Sequence, residues 1–148
     1  MKTGTNGIEL IKKYEGFKAE PYRCPADVPT IGYGATYYPN GSKVSLSDPP
    51  ISKEYAEELL KEMLKTYEAG VERYVQTNIN GNQFDAMVSF SYNLGLGALQ
   101  KSTLLKKVNI DPCDPQISNE FKKWVRAGGV VLKGLQRRRK EEAELYFS

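Results

Sequence analysis

Apolar side chains return at helical spacing over most of this chain, and one stretch near the N-terminus breaks the rhythm. Ile8, Ile11 and Tyr14 stand three residues apart and predict a first helix. Asn6 is placed to cap it, with Glu9 as the reciprocal partner, and Gly16 to stop it. Beyond Ser52, an N-cap residue, Ala56, Leu59, Leu60, Met63, Leu64, Tyr67, Val71 and Tyr74 form one long apolar stripe. The helix they predict ends by Asn78–Asn82. Asn82 then opens a helix over Gln83–Asn93, with Phe84, Met87, Val88 and Tyr92 facing inward and Gly95 ending it. Shorter helices are predicted from Ser102 to Val108, over Glu120–Ala127 and over Leu135–Phe147.

The break covers residues 18–51. Pro21, Pro25, Pro29, Pro39, Pro49 and Pro50 are too dense for a helix, so short strands and turns are expected. Thr30–Tyr37 mixes β-branched and aromatic residues with glycine, and Pro39-Asn40-Gly41 supplies a hairpin turn. The order is helix, small sheet, long helix, helical bundle. That order predicts an α+β chain with a small antiparallel β lobe, a larger helical lobe and a ligand groove between them.

With 148 residues the chain suits one domain. Hydrophobic residues at 40% and charged residues at 26% place it among globular proteins. No stretch approaches the roughly 20 apolar residues of a membrane span. Met1–Gly7 has no apolar run, so neither a signal peptide nor a transmembrane segment is expected. Histidine is absent, which removes Ser–His–Asp and Cys–His catalysis and histidine-ligated zinc. Cys24 and Cys113 can form one bridge at most, and two free thiols are expected. A net charge of +3 is too small for a dedicated nucleic-acid binder. Acid–base work falls to carboxylates, tyrosine, lysine or cysteine.

Among the carboxylates, Glu15 ends the first predicted helix. A carboxylate there faces the negative end of the helix dipole, which disfavours its ionised form and suits a general acid. Position alone leaves a solvated surface glutamate as the alternative.

Eight residues separate Glu15 from Cys24 and five separate Cys24 from Thr30. The three sit within Tyr14-Glu15-Gly16-Phe17 and Pro29-Thr30-Ile31-Gly32-Tyr33-Gly34. In this the chain resembles the phage-type lysozymes, glycoside hydrolase family 24, whose pattern is Glu, eight residues, Asp or Cys, five residues, Thr. The likeness continues in order through Gln83–Gly95, Ser102–Leu105, Trp124–Gly129 and Gly134–Arg139, and so covers the chain. It implies a lysozyme-like α+β fold in one domain over 1–148. The β lobe would take about 18–51, and the helical lobe about 52–148 with the N-terminal helix.

The same resemblance implies a muramidase, cleaving the β-1,4 bond between N-acetylmuramic acid and N-acetylglucosamine in peptidoglycan during host lysis. Glu15 would protonate the leaving oxygen, Thr30 would hold the attacking water, and Cys24 would orient or activate that water or stabilise positive charge on the sugar ring. A neutral thiol is a poor base, so Cys24 needs a lowered pKa, or it ionises and attacks the sugar itself. A small side chain filling a gap is the plain alternative. Asn93 would line the binding groove and bond an acetamido group, or else serve its own helix end. Arg137 would pair with Glu15 between the first and last helices. No metal or organic cofactor is implied. The implied setting is a monomer that does not act on nucleic acid, held in the host cytoplasm until a holin-type membrane partner gives access to the wall. A lytic transglycosylase giving 1,6-anhydro products and a non-catalytic wall-binding module are the competing readings.

Three further positions carry expectations. Asp27 could stand in as a second carboxylate, although a turn residue ahead of Pro29 is the simpler account. Ala35 occupies the place where this family commonly has a histidine, which puts local stability of the β lobe in question. The run Arg137-Arg138-Arg139-Lys140 followed by Glu141, Glu142 and Glu144 reads as a solvated helix face with i,i+4 ion pairs.

Overall fold

Local rules account for most of the elements in the computed structural model, which describes all of residues 1–148. In chain order these are α1 (Thr5–Glu15), β1 (Lys18–Arg23), β2 (Pro29–Gly32), α2 (Lys53–Tyr74), α3 (Gly81–Leu94), α4 (Leu96–Lys101), α5 (Thr103–Ile110), α6 (Ile117–Lys122), β3 (Arg126–Ala127), β4 (Val130–Val131) and α7 (Lys133–Tyr146). They form two compact units, one of Glu15–Lys65 and one of Met1–Tyr14 with Thr66–Ser148. Helix α2 runs from the first into the second.

In the unit Glu15–Lys65, β1 and β2 pair antiparallel with Tyr22 opposite Thr30 and Arg23 opposite Pro29. The ladder is irregular between Lys18 and Tyr22. Pro21 lies in that stretch and has no N–H to give, so a bulge is the natural outcome. Single bridges join Ile31 of β2 to Ala35 and, around the expected turn, Tyr37 to Lys43. Ile31, Ala35, Val44 and Leu59 form the core, with Tyr38, Ile51 and Met63 packed against it. Ala35 is thus an apolar core residue whose methyl packs with Ile31, Val44 and Leu59. Ser52 caps α2 as predicted, its hydroxyl accepting from the Tyr55 N–H at 3.1 Å.

The larger unit departs from the sequence reading at several ends. Helix α1 begins at Thr5, and Asn6 is inside it. The orphan N–H groups of that first turn go to Asp85 of α3, which accepts from Gly4 at 2.9 Å and Gly7 at 3.1 Å. Glu9 pairs with Lys12 instead of capping. Helix α3 is capped by Asn80, two residues earlier than expected, in a reciprocal box with Gln83. All its residues from Gln83 to Ser91 are buried, so it is enclosed on every side.

Ser102 does cap α5, through the Leu105 N–H at 3.0 Å. Helix α4 had no counterpart in the periodicity. The helix expected over Glu120–Ala127 lies earlier, at Ile117–Lys122, and its last residues turn into the β3–β4 hairpin. Gly128 and Gly129, at φ 56° and 79°, make that reversal possible, since two successive left-handed residues favour glycine. Helix α7 is not the fully solvated face its charges suggested. Arg138, Arg139 and Glu142 are buried within it, while Arg137 and Lys140 are exposed.

Candidate active site

The site begins where α1 stops. Glu15 is its last residue, and Gly16 follows at φ 72°, the left-handed turn that glycine adopts without strain. The preceding residue is held firmly. Tyr14 donates its hydroxyl proton to Glu141, Lys13 bonds the same carboxylate at 2.6 Å, and the Arg138 guanidinium lies 5.8 Å from the Tyr14 ring centre. Burial and the Glu141 contact push the Tyr14 hydroxyl up to about 12, so it stays a donor. Glu15 itself is half-buried.

The turn from Cys24 to Val28 supplies the second part. The Cys24 N–H reaches Val28 O at 3.1 Å and the Asp27 N–H reaches Cys24 O at 2.8 Å. Asp27 closes this turn at φ 61°, a left-handed conformation that aspartate tolerates better than most residues. It is exposed and pairs only loosely with Arg23, at 3.5 Å. The turn folds the backbone back onto the Cys24 sulfur. Hydrogen bonding from Val28 first and from the Thr30 side chain second lowers the Cys24 thiol below its ordinary range, against an opposing effect of desolvation. A thiolate is therefore easier to form here than in a free cysteine.

Thr30 is buried, and its hydroxyl donates to Val28 O at 2.8 Å. Tyr22 was not singled out from the sequence. It stands opposite Thr30 across the ladder and two residues before Cys24, so all three side chains share one face of the strand pair. Burial raises the Tyr22 phenol, and the charges of Glu15 and Cys24 raise it further. The phenol is thus within electrostatic reach of both. The alternation Tyr22–Cys24 was the signal that could have found it.

The other two predicted residues lie in the larger unit. Asn93, near the end of α3, accepts a hydrogen bond at 2.8 Å from Nη2 of Arg139 through its side-chain oxygen. Arg137 is exposed on α7, and its charge, with that of Arg138, is felt at Tyr14. The buried cationic group of that run is Arg139, fully enclosed and paired with Glu142 at 2.6 Å. A charge run gives no signal for which of its members turns inward. Cys24 and Cys113 are both free thiols.

Residues 12–142 match the family described as phage lysozyme. The chain belongs to the phage lysozyme family. It is similar to the endolysin of Bacillus phage B103, at 40% identity over all of this chain and 55% of the relative. The phage lysozyme fold is equally plain in solved structures. An endolysin from Escherichia coli O157:H7 phage FAHEc1 superimposes with a TM-score of 0.89 at 32% identity, over 100% of this chain and 94% of the other. A mutant of P22 lysozyme does so at 0.87 and 34% identity, covering 100% and 99%. The chain spans about half the length of the Bacillus phage relatives, 55% and 56%. This phage lysozyme domain has the α+β architecture expected of it, with small antiparallel sheets among seven helices.

Proposed function

We propose that residues 1–148 act as one muramidase domain, hydrolysing the β-1,4 bond between N-acetylmuramic acid and N-acetylglucosamine in peptidoglycan for host lysis. The observation that carries the proposal is the gathering of Glu15, Cys24 and Thr30 around a single phenol, that of Tyr22, in a chain of the phage lysozyme family. Glu15 gives its proton to the bridging oxygen as the bond breaks. The attacking water donates one hydrogen to the hydroxyl oxygen of the buried Thr30. Cys24, with its lowered pKa, accepts the second proton as a thiolate and leaves a water lone pair directed at the sugar carbon. Asn93 donates from its free amide end to an acetamido oxygen, and Arg137 offers an exposed positive charge to the glycan.

The setting inferred with it is a monomer held in the host cytoplasm, which reaches the wall once a holin-type membrane partner opens the way. What supports this part is the family. No helix of the chain is long and apolar enough to cross a membrane.

Digestion of purified peptidoglycan by wild type and Glu15→Gln, with the fragments identified by mass spectrometry, tests the proposal. Reducing-end muropeptides from wild type and a loss of about 100-fold or more in the folded variant are expected. Fragments ending in 1,6-anhydromuramic acid would replace hydrolysis by transglycosylation. Unchanged function in Glu15→Gln would leave a wall-binding module.

A further inference from the structure

Helix α1 is fastened at both ends by carboxylates from two other helices. At its start, Asp85 of α3 accepts from the N–H groups of Gly4 and Gly7 through its two oxygens. The approach is close, since a Cβ on Gly7 would come within 2.8 Å of the Asp85 Cβ and Cγ. Negative charge there also suits the helix dipole. At the other end, Glu141 of α7 takes both residues that precede Glu15. One oxygen accepts from the Lys13 ammonium at 2.6 Å, and the other accepts from the Tyr14 hydroxyl. Desolvation pushes the Glu141 carboxyl up, yet its bonds with Lys13 and Tyr14 bring it below its ordinary range, so it is ionised as it makes them. The Lys13 ammonium lies 5.4 Å from the Tyr14 ring centre, which binds cation and phenol into one group.

Gly7 and Ile11 are the buried residues of α1. So small an apolar face resists sliding and rolling weakly, because hydrophobic attraction has no direction. Hydrogen bonds at the two ends do have direction. Glu15 directly follows Tyr14 as the last residue of the helix, and it moves with that last turn. A general acid works only within hydrogen-bond reach of the atom it protonates, and a misplacement of about 1 Å can cost about 100-fold. We infer that Glu141 is a positioning residue for the reaction, gripping Lys13 and Tyr14 and so setting where Glu15 presents its proton, while Asp85 holds the opposite end of the same helix. This rests on the muramidase reading, in which Glu15 is the acid.

Variants of the full chain, assayed on purified peptidoglycan below their melting temperatures, test the assignment. Glu141 is 33% exposed, so shortening it opens no buried cavity. Glu141→Ala lowers kcat about tenfold or more, with KM within about twofold. Glu141→Gln keeps an oxygen for the Tyr14 hydroxyl and recovers most of the loss. Tyr14→Phe lowers kcat less, and added to Glu141→Ala it changes little, because both delete the same bond. Gly7→Ala probes the far end. Alanine is the better helix former, so a role confined to helix stability predicts equal or higher activity, whereas the close seat on Asp85 predicts a kcat about threefold lower. Val108→Ala, a core change in α5, is the control for lost stability, and its kcat stays within about twofold of wild type. Amide hydrogen exchange over residues 10–16 reads the seat of α1 independently of activity, and it quickens about tenfold in Glu141→Ala.

Wild-type kcat in Glu141→Ala would overturn the positioning role, even where Glu15→Gln is inactive. So would a loss no larger than that of Val108→Ala, no recovery in Glu141→Gln, or unchanged exchange over residues 10–16. An active Glu15→Gln would remove the acid, and the positioning role with it, while faster exchange in Glu141→Ala would still show that Glu141 seats the helix.

Discussion

Arg139 gives a 2.8 Å hydrogen bond from Nη2 to the side-chain oxygen of Asn93 and so decides which end of that amide is left to meet a ligand. The acceptor end is taken, and the two N–H donors remain. Arg139 is itself held by Glu142, at 2.6 Å through Nε and 3.1 Å through Nη2, and Glu142 accepts from Ser89 at 2.6 Å. The orientation of one half-buried amide thus depends on an ion pair in the interior of the larger unit.

Asn93→Asp keeps an acceptor for Arg139 and deletes the donor. It is expected to melt near the wild-type temperature and to clear peptidoglycan suspensions about tenfold more slowly, the net worth of one hydrogen bond of about 1–1.5 kcal/mol. Clearing at the wild-type rate would restrict Asn93 to its contact with Arg139.

The Arg139–Glu142 pair is enclosed on both sides, with each side chain 0% exposed. Glu142 also pairs with the buried Arg138 at 3.3 Å. Glu142→Leu strips two guanidiniums of this carboxylate and is expected to cost about 3–5 kcal/mol, and Arg139→Met, which leaves Glu142 with Arg138, to cost less. The double variant should cost less than the sum, and urea unfolding of the four proteins measures the coupling.

Cys24 has a definite pH signature. Its folded pKa lies below the ordinary thiol value, so the thiolate persists as pH falls until the folded value is passed. The associated stability is present above the unfolded pKa and is lost as pH falls through the folded one. In a Cys113→Ser background, the pH midpoint for iodoacetamide modification should lie below that of the same protein unfolded in urea. Thr30→Val removes one of the groups bonded to the sulfur and should move the midpoint upward. Cys24→Asp retains activity and Cys24→Ala largely loses it; full clearing by the alanine variant would reduce Cys24 to packing.

Asp27 is the nearest carboxylate in the chain to the site, yet its exposure and left-handed φ of 61° give it a turn to make. Asp27→Asn keeps the turn and removes the charge. Peptidoglycan clearing should stay near wild type, and a large fall would make Asp27 the second catalytic carboxylate.

The parts of this protein that could be read in its sequence are those whose partners lie within a few residues. Ser52 and Ser102 each find their acceptor role three residues on, Gly16 ends α1 just after Glu15, and the Cys24–Thr30 spacing closes through one short turn. Short-range hydrogen bonds and backbone sterics set these, whatever packs nearby. Other features needed the whole fold. The cap of α1 comes from Asp85, far along the chain, and outcompetes the local box of Asn6 and Glu9. Arg138 and Arg139 turn inward from a run that looks solvated, because burial of a guanidinium depends on the carboxylate waiting for it. The β1 bulge likewise appears only when Pro21 is set against β2 and Ile51 closes on Ala19. Sequence spacing determines what a residue can do to its neighbours, and tertiary packing decides which distant groups become neighbours.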